Sequence, residues 1–285
     1  MTAPQLAERL ETIISRAEDR FGESILNSQK QMYSDFVVQL KDLELDNQGY
    51  IKNSGANRKI IQKAGSLFNQ SLEKSGYYGS LNQYVSNLEV INQANAIYFS
   101  AIAESFSPNR LFIKSLQKQT IESLESTLLN EGLAANVKQP LLNILNQNVN
   151  GGGSFSGMLD QVRGYIQGVE GKQGALMRYA RTWTADALFN YSRSYQQAVS
   201  SDLGLELYFY SGGIVKDSRD FCRERHDQHF SQKEIEAWAE LDWQGKNPNT
   251  TESSIFIYAG GYSCRHSMIP VHKSVVPQDV KDRQV

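Results

Sequence analysis

The residues best suited to chemistry lie in the last quarter of the chain. Both cysteines and all four histidines of the 285-residue sequence fall there. They are Cys222, Cys264, His226, His229, His266 and His272. Thiolate sulfur and imidazole nitrogen are the usual ligands of zinc in proteins. This clustering makes the last quarter the place to look for a functional site.

Two pairs of these residues have spacings that turn their side chains the same way. Cys222 and His226 are four residues apart, so on a helix they share a face. Cys264 and His266 are two residues apart, so in an extended segment they also point the same way. Brought together, the four would form a Cys₂His₂ set suited to tetrahedral zinc. We predict a structural zinc site here, with His229 as a substitute ligand for His226.

Other interpretations of the same residues stay open. Two unlinked thiols with surface histidines fit the sequence, and so does a Cys222–Cys264 disulfide. A zinc-dependent nuclease or hydrolase would use acidic residues near the metal, such as Asp220, Glu224 and Asp227. However, the sequence contains no HExxH motif, and no oxyanion signature accompanies Cys222 as a nucleophile. We therefore predict that the protein is not an enzyme.

Basic residues accompany the cysteines and histidines. The cluster comprises Lys216, Arg219, Arg223, Arg225, Arg265 and Lys273. Such a surface could bind phosphate groups, but interleaved acidic residues cancel much of its charge. We predict a solvated, salt-bridged face. Alternatively, buried arginines such as Arg219 and Arg265 brace loops by hydrogen-bonding carbonyl groups. Contact with DNA is compatible with the sequence but is not indicated by its charge.

The elements that would position these residues form a small α+β module. Alternating side chains over residues 205–210 predict a strand, and Gly212-Gly213 a turn that returns residues 214–215 as its partner. Asp217 predicts the N-cap of a short helix carrying Cys222. Ser231 and Glu234 predict a capping box that opens the next helix. Residues 268–271 predict a terminal strand.

The rest of the chain has helical periodicity. Apolar residues at spacings of three and four predict about five helices before residue 150, with Gly22 as a potential interruption of the first. The NGGGS stretch at 150–154 predicts either a linker or a long surface loop. The fold class is mainly α with a small α+β C-terminal module. The predicted segments are a helical N-terminal region (1–150), a glycine-rich loop with a long helix (151–204), the α+β module (205–276) and a tail (277–285).

The net charge, the number of cysteines and the absence of long apolar stretches argue against several classes of protein. A formal net charge of −2 does not indicate a partner such as nucleic acid or an anionic membrane. Two cysteines make no disulfide framework and fit a reducing compartment. The start of the chain shows no signal-peptide pattern, and no stretch approaches the roughly 20 apolar residues of a membrane helix. We expect a soluble product of the cytoplasm, either intracellular or part of a particle.

An ordered series of short motifs over residues 179–271 resembles a known family. The series comprises Ala180-Arg181-Thr182, Tyr191-Ser192-Arg193, Leu207-Tyr208-Phe209-Tyr210-Ser211-Gly212-Gly213, Asp217-Ser218-Arg219-Asp220-Phe221-Cys222, Glu234-Ile235, Trp238, Gly260-Gly261-Tyr262-Ser263-Cys264-Arg265-His266 and Ile269-Pro270-Val271. It is similar to the C-terminal domain of the Mu F-like minor head proteins of tailed bacteriophages, also called phage head morphogenesis proteins. The resemblance covers about a third of the chain.

The resemblance implies a virion protein without assigned enzymatic activity. Such a protein binds the portal protein, the major capsid protein or connector proteins, in few copies or as a homo-oligomeric ring, and assists head assembly or DNA delivery. The resemblance also implies that the family's Cys/His motif corresponds to Cys222, Cys264 and His266, whereas a ligand role for His226 rests on spacing. The N-terminal helices would be the part that docks on the portal or shell. The alternatives are an internal virion protein ejected with the DNA and, from another class, a zinc-dependent nuclease or hydrolase.

Overall fold

The computed structural model describes residues 1–104 and 106–282, and it confirms a mainly helical fold with small antiparallel sheets toward the C-terminus. The helices are α1 (Ala3–Leu40), α2 (Gly55–Lys74), α3 (Tyr77–Ile102), α4 (Arg110–Leu128), α5 (Glu131–Leu133), α6 (Gln139–Gly151), α7 (Phe155–Ile166), α8 (Ala175–Leu203), α9 (Asp220–Arg225), α10 (Gln232–Ala237), α11 (Ile255–Tyr258) and α12 (Gln278–Asp282). The strands are β1 (Gly168–Val169), β2 (Lys172–Gln173), β3 (Leu207–Ser211), β4 (Gln228–Ser231) and β5 (Ser267–Pro270).

The chain forms two compact units, and each is assembled from separated segments. The helical unit comprises Glu18–Val85 and Glu122–Trp183, and the Cys/His unit comprises Met1–Ala17, Ser86–Ile121 and Thr184–Val285. Both units therefore combine segments from before and after the boundary predicted near residue 150. The reason is that α1, α3, α4 and α8 are each long enough to contribute residues to both units.

Helix α1 runs without interruption through Gly22. A glycine inside a helix costs roughly 1 kcal/mol relative to alanine. Apolar residues on both sides of it, including Ile14, Phe21 and Ile25, are buried, and each such side chain contributes about 1.5–3 kcal/mol. Burial of the apolar stripe outweighs the cost of one glycine, so the interruption considered at Gly22 does not occur.

The glycine-rich stretch forms a tight turn between α6 and α7 in the helical unit. Gly152 caps α6 in the left-handed conformation, with φ 64° and ψ 41°. Ser154 caps α7 by accepting a hydrogen bond from the Gly157 N–H. Between them, the Gly153 carbonyl accepts from the Ile51 N–H at 2.9 Å. Because the two helix caps are separated by a single residue, the stretch is neither a linker nor a long loop.

The Cys/His unit contains a three-stranded antiparallel sheet. Its order is β4-β3-β5, so β3 is the middle strand. The strands predicted near 205–210 and 268–271 are confirmed as β3 and β5, but the partner predicted at 214–215 is wrong. Ile214 and Val215 lie outside the strands and are 39% and 47% exposed. Strand β4 is the neighbour of β3 instead, because it pairs with β3 along four residues, whereas residues 214–215 could pair along only two.

The two faces of this sheet carry different side chains. Alternation along β3 puts Tyr208 and Tyr210 on one face and Phe209 on the other. The face with the two tyrosines belongs to a buried aromatic cluster that includes both cysteines. The members of this cluster are Tyr208, Tyr210, Phe221, Cys222, Ile235, Trp238, Ile255, Phe256, Ala259, Cys264 and Met268. Because Phe209 pairs directly with His229, His229 lies on the face away from the cluster.

The capping box predicted at the start of α10 is confirmed. Ser231 Oγ accepts from the Glu234 N–H, and the Glu234 carboxylate accepts from the Ser231 N–H at 2.8 Å. We expect Ser231→Ala to lower the free energy of unfolding by about 1 kcal/mol, because the first turn of α10 loses its acceptor. Urea denaturation measures the change, with Ser201→Ala on an exposed position of α8 as the control. Equal losses in the two variants would contradict the capping role.

Candidate metal centre

Three of the predicted ligands meet at one buried point in the Cys/His unit. Cys222 lies on α9, Cys264 in the turn after α11, and His266 directly before β5. Their ligand atoms lie within 4.8 Å of one another, and each residue is only 2% exposed. Cys222 Sγ is 3.9 Å from Cys264 Sγ, which in turn is 3.9 Å from His266 Nδ1. These three residues could hold a metal ion.

The spacing of the three ligand atoms fits a tetrahedral metal. With zinc–sulfur bonds of about 2.3 Å, two thiolate sulfurs on one zinc lie about 3.8 Å apart, and a sulfur and an imidazole nitrogen about 3.6 Å apart. The two distances of 3.9 Å are close to these values. Two soft sulfurs and an imidazole also suit zinc, whereas magnesium and calcium require oxygen ligands.

Helix α9 brings Cys222 to the site in its first turn. The N-cap is Arg219 and not Asp217 as predicted, because the Arg219 carbonyl accepts from the Cys222 N–H at 2.9 Å. The Arg219 guanidinium also donates to the Tyr262 carbonyl at 2.6 Å. This bond joins the start of α9 to the turn that carries Cys264, and it confirms the expectation that Arg219 braces a loop.

The turn that carries Cys264 leaves no room for a side chain at Gly260. A Cβ atom there would lie 2.4 Å from Cys222 Sγ and 3.0 Å from Cys264 Sγ. The Gly260 N–H donates to Cys264 Sγ at 3.3 Å, and the Tyr210 hydroxyl donates to Cys222 Sγ at 3.4 Å. Each sulfur therefore accepts a hydrogen bond, as the sulfur ligands of metal sites commonly do. The preceding residue, Ala259, has φ 49°, a conformation that the surrounding packing must enforce.

Arg193 of α8 holds the same turn from the other side. The residue is 2% exposed. Its guanidinium donates to the Cys264 carbonyl at 2.5 Å, to the His266 carbonyl at 2.6 and 2.9 Å, and to the Ile257 carbonyl at 3.0 Å. A buried carbonyl left without a donor costs about 1–3 kcal/mol. One side chain therefore fixes the backbone that positions two of the three candidate ligands.

The sequence analysis did not predict that Arg193 hydrogen-bonds the loop carbonyls. It proposed Arg219 and Arg265 for that role. The Arg265 side chain is 43% exposed and lies 3.8 Å from the Glu11 carboxylate, so its contact is an ion pair and not a bond to a loop carbonyl. The position of Arg193 in the sequence could have indicated its burial. It lies four residues after Phe189 on a buried part of α8, where an arginine must find internal hydrogen-bond acceptors.

The two thiols differ in their affinity for a proton. A hydrogen bond from Cys222 holds the pKa of Cys264 well below its usual range, with further lowering from His266 and Arg193. The same bond raises the pKa of Cys222, and burial raises it further. Burial also raises the pKa of Tyr210 well above its usual value, so its hydroxyl remains a donor. The surroundings of Cys264 thus favour the thiolate form more than those of Cys222 do, and a metal bound by both sulfurs would release the proton that Cys222 carries.

The other histidines differ in their distance from this centre. The His226 ring lies edge-on to the His266 ring, with centroids 5.5 Å apart and 90° between the planes, but it lies outside the group of three. The His229 ring packs 4.9 Å from the Phe209 ring on the opposite face of the sheet. His229 therefore cannot substitute for His226 as a ligand. His272 is exposed.

Both cysteines are free thiols. Their sulfur atoms are 3.9 Å apart, whereas a disulfide bond measures about 2.05 Å. The arrangement corresponds to unlinked thiols or to the two sulfur ligands of a metal, and it differs from the disulfide that the sequence left open.

Most of the arginines around the site bind groups within the structure. Arg223 donates to the carbonyls of Val215 and Lys216 at 2.9 and 2.8 Å. The Arg225 guanidinium lies 4.0 Å from the Phe221 ring centroid and 3.4 Å from the Glu224 carboxylate. Arg225 thus fits the predicted salt-bridged face, and Arg223 fits the alternative in which arginines brace loops. Neither contact indicates a phosphate-binding surface.

Comparison of the chain with family models, with curated proteins and with solved structures finds no match. Among the helices in the described part of the chain, none combines the length and apolar character needed to cross a membrane. The evidence for a metal site therefore comes from the structure, which encloses two sulfurs and an imidazole in an aromatic core.

We expect Arg193→Lys to lower the free energy of unfolding by about 3 kcal/mol, because a single ammonium group cannot serve the three carbonyls that the guanidinium fork reaches. Chemical denaturation measures the loss. Arg181→Lys, at an exposed position of the same helix, is the matched control and should change stability little. A loss in Arg193→Lys no larger than in the control would show that the carbonyls find other donors.

Proposed function

We propose that this protein is a structural minor head protein of a tailed bacteriophage, associated with the portal or the head–tail connector and assisting head morphogenesis or DNA delivery. The observation that carries the proposal is the position of the residues of the Mu F-like series. Arg193, Tyr210, Cys222, Cys264 and His266 belong to that series, and hydrogen bonds and sulfur contacts link them into one buried centre. A motif series that encodes one centre supports a shared module better than scattered positions would.

The proposed partners follow from this role. They are the portal protein, the major capsid protein or connector proteins, with the protein itself present in few copies or as a homo-oligomeric ring in the virion. Exposed apolar side chains near the start of α4 support a packing role, since Leu111 is 83% and Phe112 39% exposed and a partner surface would remove them from water. The net charge of −2 gives no support to DNA as the main partner.

The proposal includes a structural role for zinc at the Cys/His centre. Structural zinc sites enclose the metal with protein ligands, whereas catalytic sites keep a position open to water and substrate. The burial of Cys222, Cys264 and His266, each 2% exposed, favours an enclosed site. Zinc there would tie α9, the turn after α11 and the start of β5 to one another. The same burial supports a protein that is not an enzyme.

We expect the purified chain to carry one zinc ion and to lose stability when a chelator removes it. A ligand at about 1,000 times its dissociation constant stabilises a protein by about 4 kcal/mol. Elemental analysis gives the zinc content, and thermal denaturation with and without chelator gives the stability. Cys222→Ser should lose the zinc and melt at a lower temperature, whereas His272→Ala, which changes an exposed histidine outside the site, should retain the zinc.

A Cys222→Ser variant that binds as much zinc and melts like the parent would rule out the structural zinc site. Cleavage of DNA with added divalent metal, lost in His266→Ala, would instead favour the nuclease.

The minor head role is tested on purified particles. We expect quantitative mass spectrometry to find the protein at a fixed ratio to the portal protein, both before and after DNA ejection. The portal protein serves as the internal standard. Loss of the protein together with the genome would favour an ejected internal protein, and absence from particles would contradict the proposal.

A further inference from the structure

We propose that His226 is the fourth zinc ligand, through its Nδ1 atom, and that Asp227 is the positioning residue that prepares it for this role. The inference rests on the zinc binding proposed above. To the His226 ligand that the spacing predicted, it adds the ligand atom and the residue that positions the ring. Cys222, Cys264 and His266 supply three ligands, and a structural zinc site takes four. Two observations around His226, one chemical and one geometric, identify it as the fourth.

The first observation is the contact between His226 and Asp227. His226 Nε2 lies 3.2 Å from Asp227 Oδ2. A carboxylate accepts hydrogen bonds, so this contact places the proton of the neutral imidazole on Nε2 and leaves the lone pair on Nδ1. That Nδ1 atom is buried and has no hydrogen-bond partner among the described residues. A buried acceptor without a donor costs free energy, and a metal ion at this position would remove that cost.

The second observation is the position of the His226 ring. Two imidazoles bound to one tetrahedral zinc, with zinc–nitrogen bonds of about 2.0 Å, have centroids about 5 Å apart. The His226 and His266 centroids are 5.5 Å apart. His226 lies outside the group of three at its present distance, and it follows the last residue of α9, four residues after Cys222. Metal binding would therefore require the His226 ring to move at this helix end so that Nδ1 reaches the metal.

Asp227 is itself held in place by the sheet. Its N–H donates to the Tyr210 carbonyl at 2.8 Å, and its Oδ1 accepts from Ser211 Oγ at 3.0 Å. One carboxylate oxygen is thus anchored to β3 while the other faces His226. The backbone of Asp227 has φ 56°, a conformation that aspartate and asparagine tolerate better than most residues. A carboxylate fixed behind a histidine is the usual partner of a metal-bound imidazole, because it sets the tautomer and the direction of the ring.

Cadmium substitution tests the assignment directly. The full chain, with isotope-labelled histidine, is loaded with an NMR-active cadmium isotope in place of zinc. We expect scalar coupling from cadmium to one ring nitrogen of His266 and to Nδ1 of His226. Coupling to His266 without coupling to His226 overturns the fourth-ligand assignment and leaves the zinc site standing. Failure of the chain to bind cadmium or zinc overturns the proposed zinc site itself.

Variants at the two positions complete the test. His226→Ala should remove the cadmium coupling at this position and weaken zinc binding by more than Asp227→Asn does. Asp227→Asn keeps a residue that tolerates the left-handed backbone but removes the charge, and we expect zinc affinity to fall about 10- to 100-fold. In the metal-free protein, the same variant should move part of the His226 proton from Nε2 to Nδ1, which nitrogen chemical shifts report.

His229→Ala is the matched control, because His229 lies on the opposite face of the sheet. It should leave zinc affinity, the cadmium spectrum and the His226 tautomer unchanged. An Asp227→Asn variant that binds zinc as tightly as the parent, with an unchanged His226 tautomer, would overturn the positioning role of Asp227.

Discussion

A buried guanidinium is the constraint on which the Cys/His centre depends. Arg193 carries a charge into the interior, where an ion without partners would cost several kcal/mol. The carbonyls of Ile257, Cys264 and His266 satisfy its N–H groups, and they would themselves be short of donors without it. The guanidinium and the three carbonyls therefore each satisfy the other's hydrogen-bonding groups. As a result, the turn carrying Cys264 and His266 has a defined backbone before any metal binds.

The remaining contacts of the centre build on this fixed turn. Tyr210 stacks on the His266 ring, with centroids 5.1 Å apart and 15° between the planes, and its hydroxyl reaches Cys222 Sγ. Gly260 allows the two sulfurs to approach, because any side chain there would collide with them. The cysteines also form part of an aromatic core with several large side chains. Metal binding at such a site would add stability to a unit with a core of its own, in contrast to small zinc modules that are unfolded without metal.

This arrangement is relevant to the proposed role in a phage head. The centre links residues that are far apart in the sequence, since Arg193 and His266 are 73 residues apart. It therefore couples the long helix α8 to the final strand of the sheet. These hydrogen bonds hold the backbone of the module in one conformation. A rigid module would suit a protein that docks on a symmetric ring of subunits. Burial of the donor atoms supports the proposed structural role, since a substrate would have little access to them.

Local physical signals in the sequence predicted much of the fold. The apolar stripes predicted the helices, because helical period is a property of a single segment. The alternation at Leu207 and Phe209 predicted β3, and the Ser231–Glu234 spacing predicted the capping box. The Cys/His spacings predicted a set of Cys222, His226, Cys264 and His266, of which the structure brings Cys222, Cys264 and His266 together. In each case the relevant residues are close in sequence or of a rare chemical type.

Tertiary structure decided the features that depend on distant partners. The pairing of β3 with β4 instead of residues 214–215, and the placement of His229 on the far face, depend on strand register. The role of Arg193 depends on carbonyl groups more than sixty residues away, at positions that no local pattern marks. The sequence by itself thus determined the helical segments, the Ser231–Glu234 capping box and the residue types of the site. The fold alone decided which side chains meet there, because contact across long sequence separations is a property of packing and not of spacing.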